Sequence, residues 1–264
     1  MVFPIITLSF TPNSRAESLI IAIKEPIQTD FSSLKNALNT FFKSSRFQVI
    51  SEMTLKAKVE QSNVEIVSKN KTTTALPNQF RSEIEMSNRK YLVVSNGKQV
   101  WVYKPSANEY AVSSFDDFQS SQDNFLIGLS SSFLLEIARS LQEEQKTSTI
   151  NQADLVDSIT DFFTNSFNQE GFTFKQEKQT IDQVTYSLYR YRSNEEGIEF
   201  VLWIDPKEEN LKRLQVLGTE KDIMVDITEN ILQHTTEPEI NNDTFTFIPT
   251  PEMKQVQELP LEAF

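Results

Sequence analysis

Histidine, cysteine and paired carboxylates are the side chains that most often do chemistry, and this chain uses them sparingly. It has one histidine, His234, and no cysteine among its 264 residues. The lack of cysteine removes disulfides, thiol nucleophiles and thiolate metal sites together. His234 stands between Gln233 and Thr235 near the end of an expected strand. A lone histidine there reads as a surface residue rather than a general base. The acidic pairs Asp116-Asp117 and Glu195-Glu196 fall in expected turns or helix starts. Carboxylates in such places are solvated or complement a helix dipole. Five glycines form no phosphate-cradling loop, there is no G-x-S-x-G elbow, and no metal-ligand spacing occurs. The expectation is a non-enzymatic protein with no catalytic residue, no metal and no cofactor.

Large apolar side chains are the richer vocabulary. The chain carries 20 Phe against 6 Tyr and 2 Trp, a balance that favours apolar contact over hydrogen-bonded aromatic use. Its formal charge of −12 repels phosphates and anionic head groups, so nucleic acid is not an expected partner. No apolar run reaches 18 residues, so no segment reads as a membrane-spanning helix.

The elements that position these residues follow from periodicity. Residues 90–110, KYLVVSNGKQVWVYKPSANEY, place two apolar-rich runs around Asn96-Gly97, a strong type I′ hairpin signal. Trp101 and Tyr103, two apart, share one face of the second run. Residues 31–45 predict a helix capped by Ser32 or Ser33, with Leu34, Ala37, Leu38, Phe41 and Phe42 on one side. Phe47, Val49, Ser51, Met53, Leu55, Ala57 and Val59 alternate along a long half-buried strand. A more polar strand follows over 64–75, and Phe80, Ser82, Ile84 and Met86 occupy one face of the next.

Between Phe115 and Phe167 the period changes. Leu134, Ile137, Ala138 and Leu141 fit one helix. Leu155, Ile159, Phe162, Phe163 and Phe167 fit another, with Asn151 as its cap. Strands return over 172–180, 184–192, 198–204, 211–217, 223–232 and 243–248. They are joined by Asp182-Gln183 and by turns at 193–197 and 205–210. With no helix between them, these strands pair antiparallel. The predicted fold class is α+β: a curved antiparallel sheet forming a half-open β-barrel with a helical lid.

The first residues read separately. Val2 to Phe10 is a short apolar run, and Ser14-Arg15-Ala16 places small residues at the −3 and −1 positions of a cleavage site. This resembles the back half of a secretory signal peptide. Residues 1–30 are therefore read as a signal-peptide remnant and N-terminal extension, 31–256 as a single domain, and 257–264 as a C-terminal tail.

Four motifs in order resemble a known family. Residues 90–110 resemble the L-V-S-D-G-K-x-x-W-x-Y-x-P core of the LolA family of periplasmic lipoprotein carriers. Leu76-Pro77-Asn78-Gln79-Phe80 resembles its R-P-N-x-F segment. Phe200 to Pro206, followed by Leu211 to Leu214, is similar to the late hairpin of related sorting proteins. Thr244 to Pro249 is similar to the F-T-F-x-P ending. The resemblance implies a half-open barrel with a helical lid. It also implies a periplasmic location, and lipid or lipoprotein acyl chains as partners. Phe80 stands where the family places a Phe tied to cargo. Leu76 stands where the carrier has a lid-closing Arg, which implies a different latch here. Strand parity adds Phe47, Val49, Met53, Leu55 and Ile84 to Phe80 as expected cavity residues, and Trp101 and Tyr103 are included with them. The expected lid residues are Leu134, Ile137, Leu141, Phe162 and Phe163. The alternative reading is a sensor resembling the RseB group, which binds a membrane-protein partner.

Overall fold

The computed structural model describes residues 31–59, 62–121, 123–145, 152–165, 171–195, 197–220 and 223–261. The expected export segment and the Asn151 cap lie outside the described residues. In chain order the elements are α1 (Ser32–Phe41), β1 (Arg46–Val59), β2 (Ser62–Ala75), β3 (Gln79–Met86), β4 (Arg89–Asn96), β5 (Gln99–Lys104) and β6 (Glu109–Ser114). Next come α2 (Phe115–Gln119), a 3₁₀ turn (Asn124–Ile127), α3 (Leu129–Gln145) and α4 (Gln152–Asn165). The chain ends with β7 (Phe172–Ile181), β8 (Val184–Ser193), β9 (Ile198–Asp205), β10 (Asn210–Glu220), β11 (Ile223–Thr236) and β12 (Lys254–Gln255).

Among the described residues the strands join one curved, unclosed 12-stranded sheet, ordered β12-β6-β5-β4-β3-β2-β1-β11-β10-β9-β8-β7. Every pair is antiparallel except β12 with β6. The α+β half-barrel read from the sequence is therefore the fold. The long strands β1 and β11 lie at its middle and pair over nearly their whole lengths.

The inner face follows the predicted parity. Phe47, Val49, Ser51, Met53, Leu55 and Ala57 are all buried, because successive strand side chains alternate between faces. The helices cover this face in two apolar clusters. One joins α1, α3 and α4 to β1 and β8–β10 through residues such as Leu34, Phe41, Leu134, Leu155 and Ile204. The other joins β3–β5 to α2, the 3₁₀ turn and Leu135.

Local details depart from expectation where side chains compete with turn chemistry. The turn at Asn96-Gly97 is not type I′. Only Gly97 takes a positive φ, of 93°, while Asn96 stays in β4 and its Oδ1 accepts the Lys98 and Gln99 amides at 2.9 and 3.0 Å. The side chain does the work that a left-handed backbone would have done. Ser87-Asn88 and Asp182-Gln183 instead have positive φ at both positions. The predicted cap of α1 also differs. Ser32 and Ser33 are inside the helix, and the capping position is Phe31, which makes no side-chain cap. Phe31 is held by rings instead, 5.4 Å from Phe174 and 6.2 Å from Tyr189. Residues 243–248 form a turn and an irregular segment rather than a strand.

Candidate functional site

Two surfaces of the curved sheet could hold a guest, and the predicted residues divide between them. Phe47, Val49, Met53, Leu55, Phe80 and Ile84 are on the inner face as expected, but each is at least 95 % buried under the helices. Phe80 packs 5.6 Å from Phe118 of α2, ring to ring. Leu134 and Leu141 are buried, and Ile137 packs against the same cluster, so α3 sits on the sheet as a cover. Phe162 and Phe163 belong to α4, and their side chains lie outside the described residues.

Trp101 and Tyr103 are on the other side of the sheet. Their neighbours Val100 and Val102 are the buried inner residues of β5, so parity turns Trp101 and Tyr103 outward. There, together with Tyr110, they surround Phe247 of the C-terminal segment at ring distances of 6.4, 5.6 and 5.7 Å. These aromatics seal a strap of chain onto the convex face, and the cavity placement read from the sequence is corrected on that ground.

A polar seam fixes the cover. Every inner residue of β2 from Ser68 to Thr74 is small and polar, and all are buried. Asn70 Nδ2 donates to the Leu126 carbonyl at 2.8 Å, and Thr72 Oγ1 donates to that of Ile127 at 2.6 Å. From β11 the fully buried Glu229 accepts the Ser130 amide at 2.6 Å. A carboxylate at a helix start satisfies a free amide and complements the dipole. Burial pushes the Glu229 pKa up, against the pull of the Ser130 amide and of the Ser51 and Ser130 hydroxyls beside it. Gly128, just before α3, has φ 108°, and a Cβ there would lie 2.8 Å from Glu229 Oε1. The position therefore needs glycine twice over, for conformation and for space.

Beside this seam the cover meets the sheet only in part. A cleft of about 490 Å³ opens between α3 and the inner side of β9–β10. Phe125, Leu129, Phe133, Phe200, Leu202, Leu214 and Val216 supply its apolar walls. Gln119, Ser120, Asn124, Ser132, Glu136, Arg139 and Gln215 supply polar groups. Arg139 binds Asp116 and Glu136, each at 3.1 Å. Burial opposes its charge, yet the carboxylates of Glu136, Asp116 and Glu143 more than offset that and raise its pKa. None of the cavity residues predicted from the sequence lines this cleft. Its residues alternate along β9 and β10, so parity could have found Phe200, Leu202, Leu214 and Val216. Which part of the inner face stays uncovered is not a property of parity.

His234 is no surface residue. A bulge where Ser51 pairs with Ile231 and Ile50 with Gln233 makes Leu232 an extra residue. Leu232 is consequently 63 % exposed, and the parity beyond it flips. His234 turns inward and stacks on Phe41 with ring centroids 4.0 Å apart. Burial lowers its pKa to about 4, against a smaller upward pull from the Phe41 backbone. Among the described residues no group of three or more His, Cys, Asp or Glu side chains is placed to hold a metal. Among them, too, no helix is long and apolar enough to cross a membrane.

Residues 32–258 match the model of a family described as "Predicted periplasmic protein (DUF2092)". No curated protein sequence matches the chain. Among solved structures, an uncharacterized conserved protein of Thermus thermophilus aligns at 11 % identity and a TM-score of 0.42, covering 86 % of this chain and 97 % of that one. A LolA superfamily protein of Nitrosomonas europaea aligns at 11 % identity and 0.34, covering 82 % and 96 %. The MucA/MucB complex of Pseudomonas aeruginosa aligns at 9 % and 0.27, covering 81 % and 59 %. At such scores the chain paths diverge too far for a site to be carried over from any of these structures.

Proposed function

The chain belongs to the DUF2092 family of predicted periplasmic proteins, and from that premise we propose that it binds acyl chains in the cleft between α3 and β9–β10. The observation that carries this reading is the apolar space of about 490 Å³ left under the cover. Ligand clefts commonly measure about 300–1,000 Å³. The hydrocarbon gains by leaving water at about 0.8 kcal/mol per methylene, so ten enclosed methylenes contribute about 8 kcal/mol as an upper figure. The protein carries or senses its guest and does no covalent chemistry on it. The likeness of its motifs to the lipoprotein carriers favours a lipid or lipoprotein acyl group.

The test is lipid extraction and mass spectrometry of natively purified protein, with titration of a fluorescent acyl probe. Acyl lipid is expected to co-purify. Val216→Glu, which sets a charge among the apolar walls, is expected to weaken the probe by tenfold or more, on the order of 1.4 kcal/mol, with a near-native circular dichroism spectrum. A protein that co-purifies no lipid and binds no acyl probe would sink the reading. A stoichiometric membrane protein in the same preparation would favour the sensor alternative over the carrier.

A further inference from the structure

The inner faces of β9 and β10 lose their cover in one direction. Ile204 and Leu202 on β9, and Leu211 and Leu214 on β10, are buried. Phe200 and Ile198, and Val216 and Gly218, are only half-buried. Leu202, Phe200, Leu214 and Val216 line the cleft. Its open end therefore faces the strand ends, where Ile198 pairs with Gly218 one inner position beyond Phe200 and Val216.

Gly218 holds that position without a local reason. Four of the chain's five glycines have a positive φ, and Gly218 does not. No bulge falls on it, because β10 pairs unbroken with β9 from Arg213 to Gly218 and with β11 from Arg213 to Glu220. Its cross-strand partners are Ile198 and Val225. A Cβ added there would meet no atom within 4 Å beyond its two chain neighbours. A glycine inside a strand weakens it, and one that serves neither turn nor bulge marks a place where another molecule approaches the backbone. Paired strands lie about 4.8 Å apart, so β9 and β11 stand about 10 Å apart across β10. With no side chain between Ile198 and Val225, a notch one hydrocarbon chain wide continues the line of Leu214 and Val216. From Leu214 to Gly218 that line is about 13 Å long.

On the acyl-binding reading, we propose that the guest's chain leaves the cleft along β10 through the notch at Gly218, with its polar head at the strand ends. The missing side chain thereby selects single long acyl chains, whose outer methylenes lie between Ile198 and Val225.

The experiment loads the full-length protein with the apolar fluorophore 1-N-phenylnaphthylamine. The probe is displaced with monooctanoyl-, monododecanoyl- or monohexadecanoylglycerol, which share one neutral head and differ only in chain length. Wild type is expected to bind more tightly as the chain grows, by up to about fourfold for each enclosed methylene. Gly218→Leu fills the notch. It is expected to leave monooctanoylglycerol within about twofold of wild type and to weaken monohexadecanoylglycerol by about tenfold or more. Its Tm is expected to hold, since the new side chain enters open space. Gly218→Ala repeats the measurement with the smallest change, and is expected to weaken the longest chain alone, by about threefold. Equal binding of the three glycerides by wild type overturns the proposal and leaves acyl binding standing. So does either folded variant that weakens none of them, or all of them alike. No fluorophore binding, or no displacement by any glyceride, removes the acyl reading and this proposal with it.

Discussion

The two halves of the inner sheet face are built for opposite ends. Over β1–β5 the cover is sealed. Phe80, Ile84, Val93 and Val100 are at most 2 % exposed, and the 3₁₀ turn is held to β2 by Asn70 and Thr72. Over β9–β10 the same cover stands off, and Phe125, Phe133, Phe200 and Val216 are only partly buried around open space. Both halves are apolar. What separates them is the polar seam, which fixes where α3 starts and therefore where it stops touching the sheet. Hydrophobic burial is non-directional, so it could have drawn the helix down anywhere. Buried hydrogen bonds must be met in place, and they choose the seat.

This contrast can be broken experimentally. Phe80→Ala removes a fully buried ring and should cost about 3–5 kcal/mol in denaturant unfolding. The folded protein should keep its acyl-probe affinity within about twofold, because Phe80 is not among the residues that line the cleft. A large loss of affinity with little loss of stability would show that the guest's seat extends into the sealed half.

Acid should act next most strongly, again on the sealed side. The folded His234 has a pKa of about 4, below the ordinary 6.5. Between these values the unfolded chain takes up a proton that the folded chain refuses. The stabilisation is complete above about pH 6.5 and is lost as pH falls toward about 4, by up to about 3 kcal/mol. His234→Phe should remove this part of the acid loss when its pH–stability curve is subtracted from wild type. Identical curves would mean that His234 is not packed as described. Glu229 has the opposite sign. Its pKa is raised by burial, so its ionised form weakens the fold at high pH and protonation relieves it.

The smallest effect sharpens the contrast most. Gly128→Ala should cost about 2 kcal/mol, from positive-φ strain and the approach to Glu229. Because it loosens the seat of α3, it should also change acyl-probe affinity, which Phe80→Ala should not. A variant as stable as wild type would argue against the close fit of α3 on Glu229.

Particular residues indicate how far the sequence could be read. The inner parity of β1 and β3 was legible from Phe47 to Ala57 and from Phe80 to Met86, because alternation needs only the neighbouring residues. The turn at Asp182-Gln183 was legible for the same reason. The strand over 64–75 read only as more polar than its neighbours, with no sign that Asn70, Thr72 and Thr74 are buried. The partners of Asn70 and Thr72 are carbonyls more than fifty positions away. Glu229 carried a local sign of its own, an acid on the same parity as Ile227 and Ile231. His234 was hidden by a single extra residue, Leu232, since a bulge inverts every face beyond it.

Legible in the residues alone were the curved antiparallel sheet, the alternation along β1 and β3, the helical cover and an inventory poor in catalytic groups. These rest on local periodicity and composition. Which part of the inner face is filled and which is left open, and the packing of the outer aromatics of β5 on the chain's own Phe247, came from the assembled fold. Those outcomes depend on where distant polar groups meet, and no local pattern encodes the distance between α3 and β10.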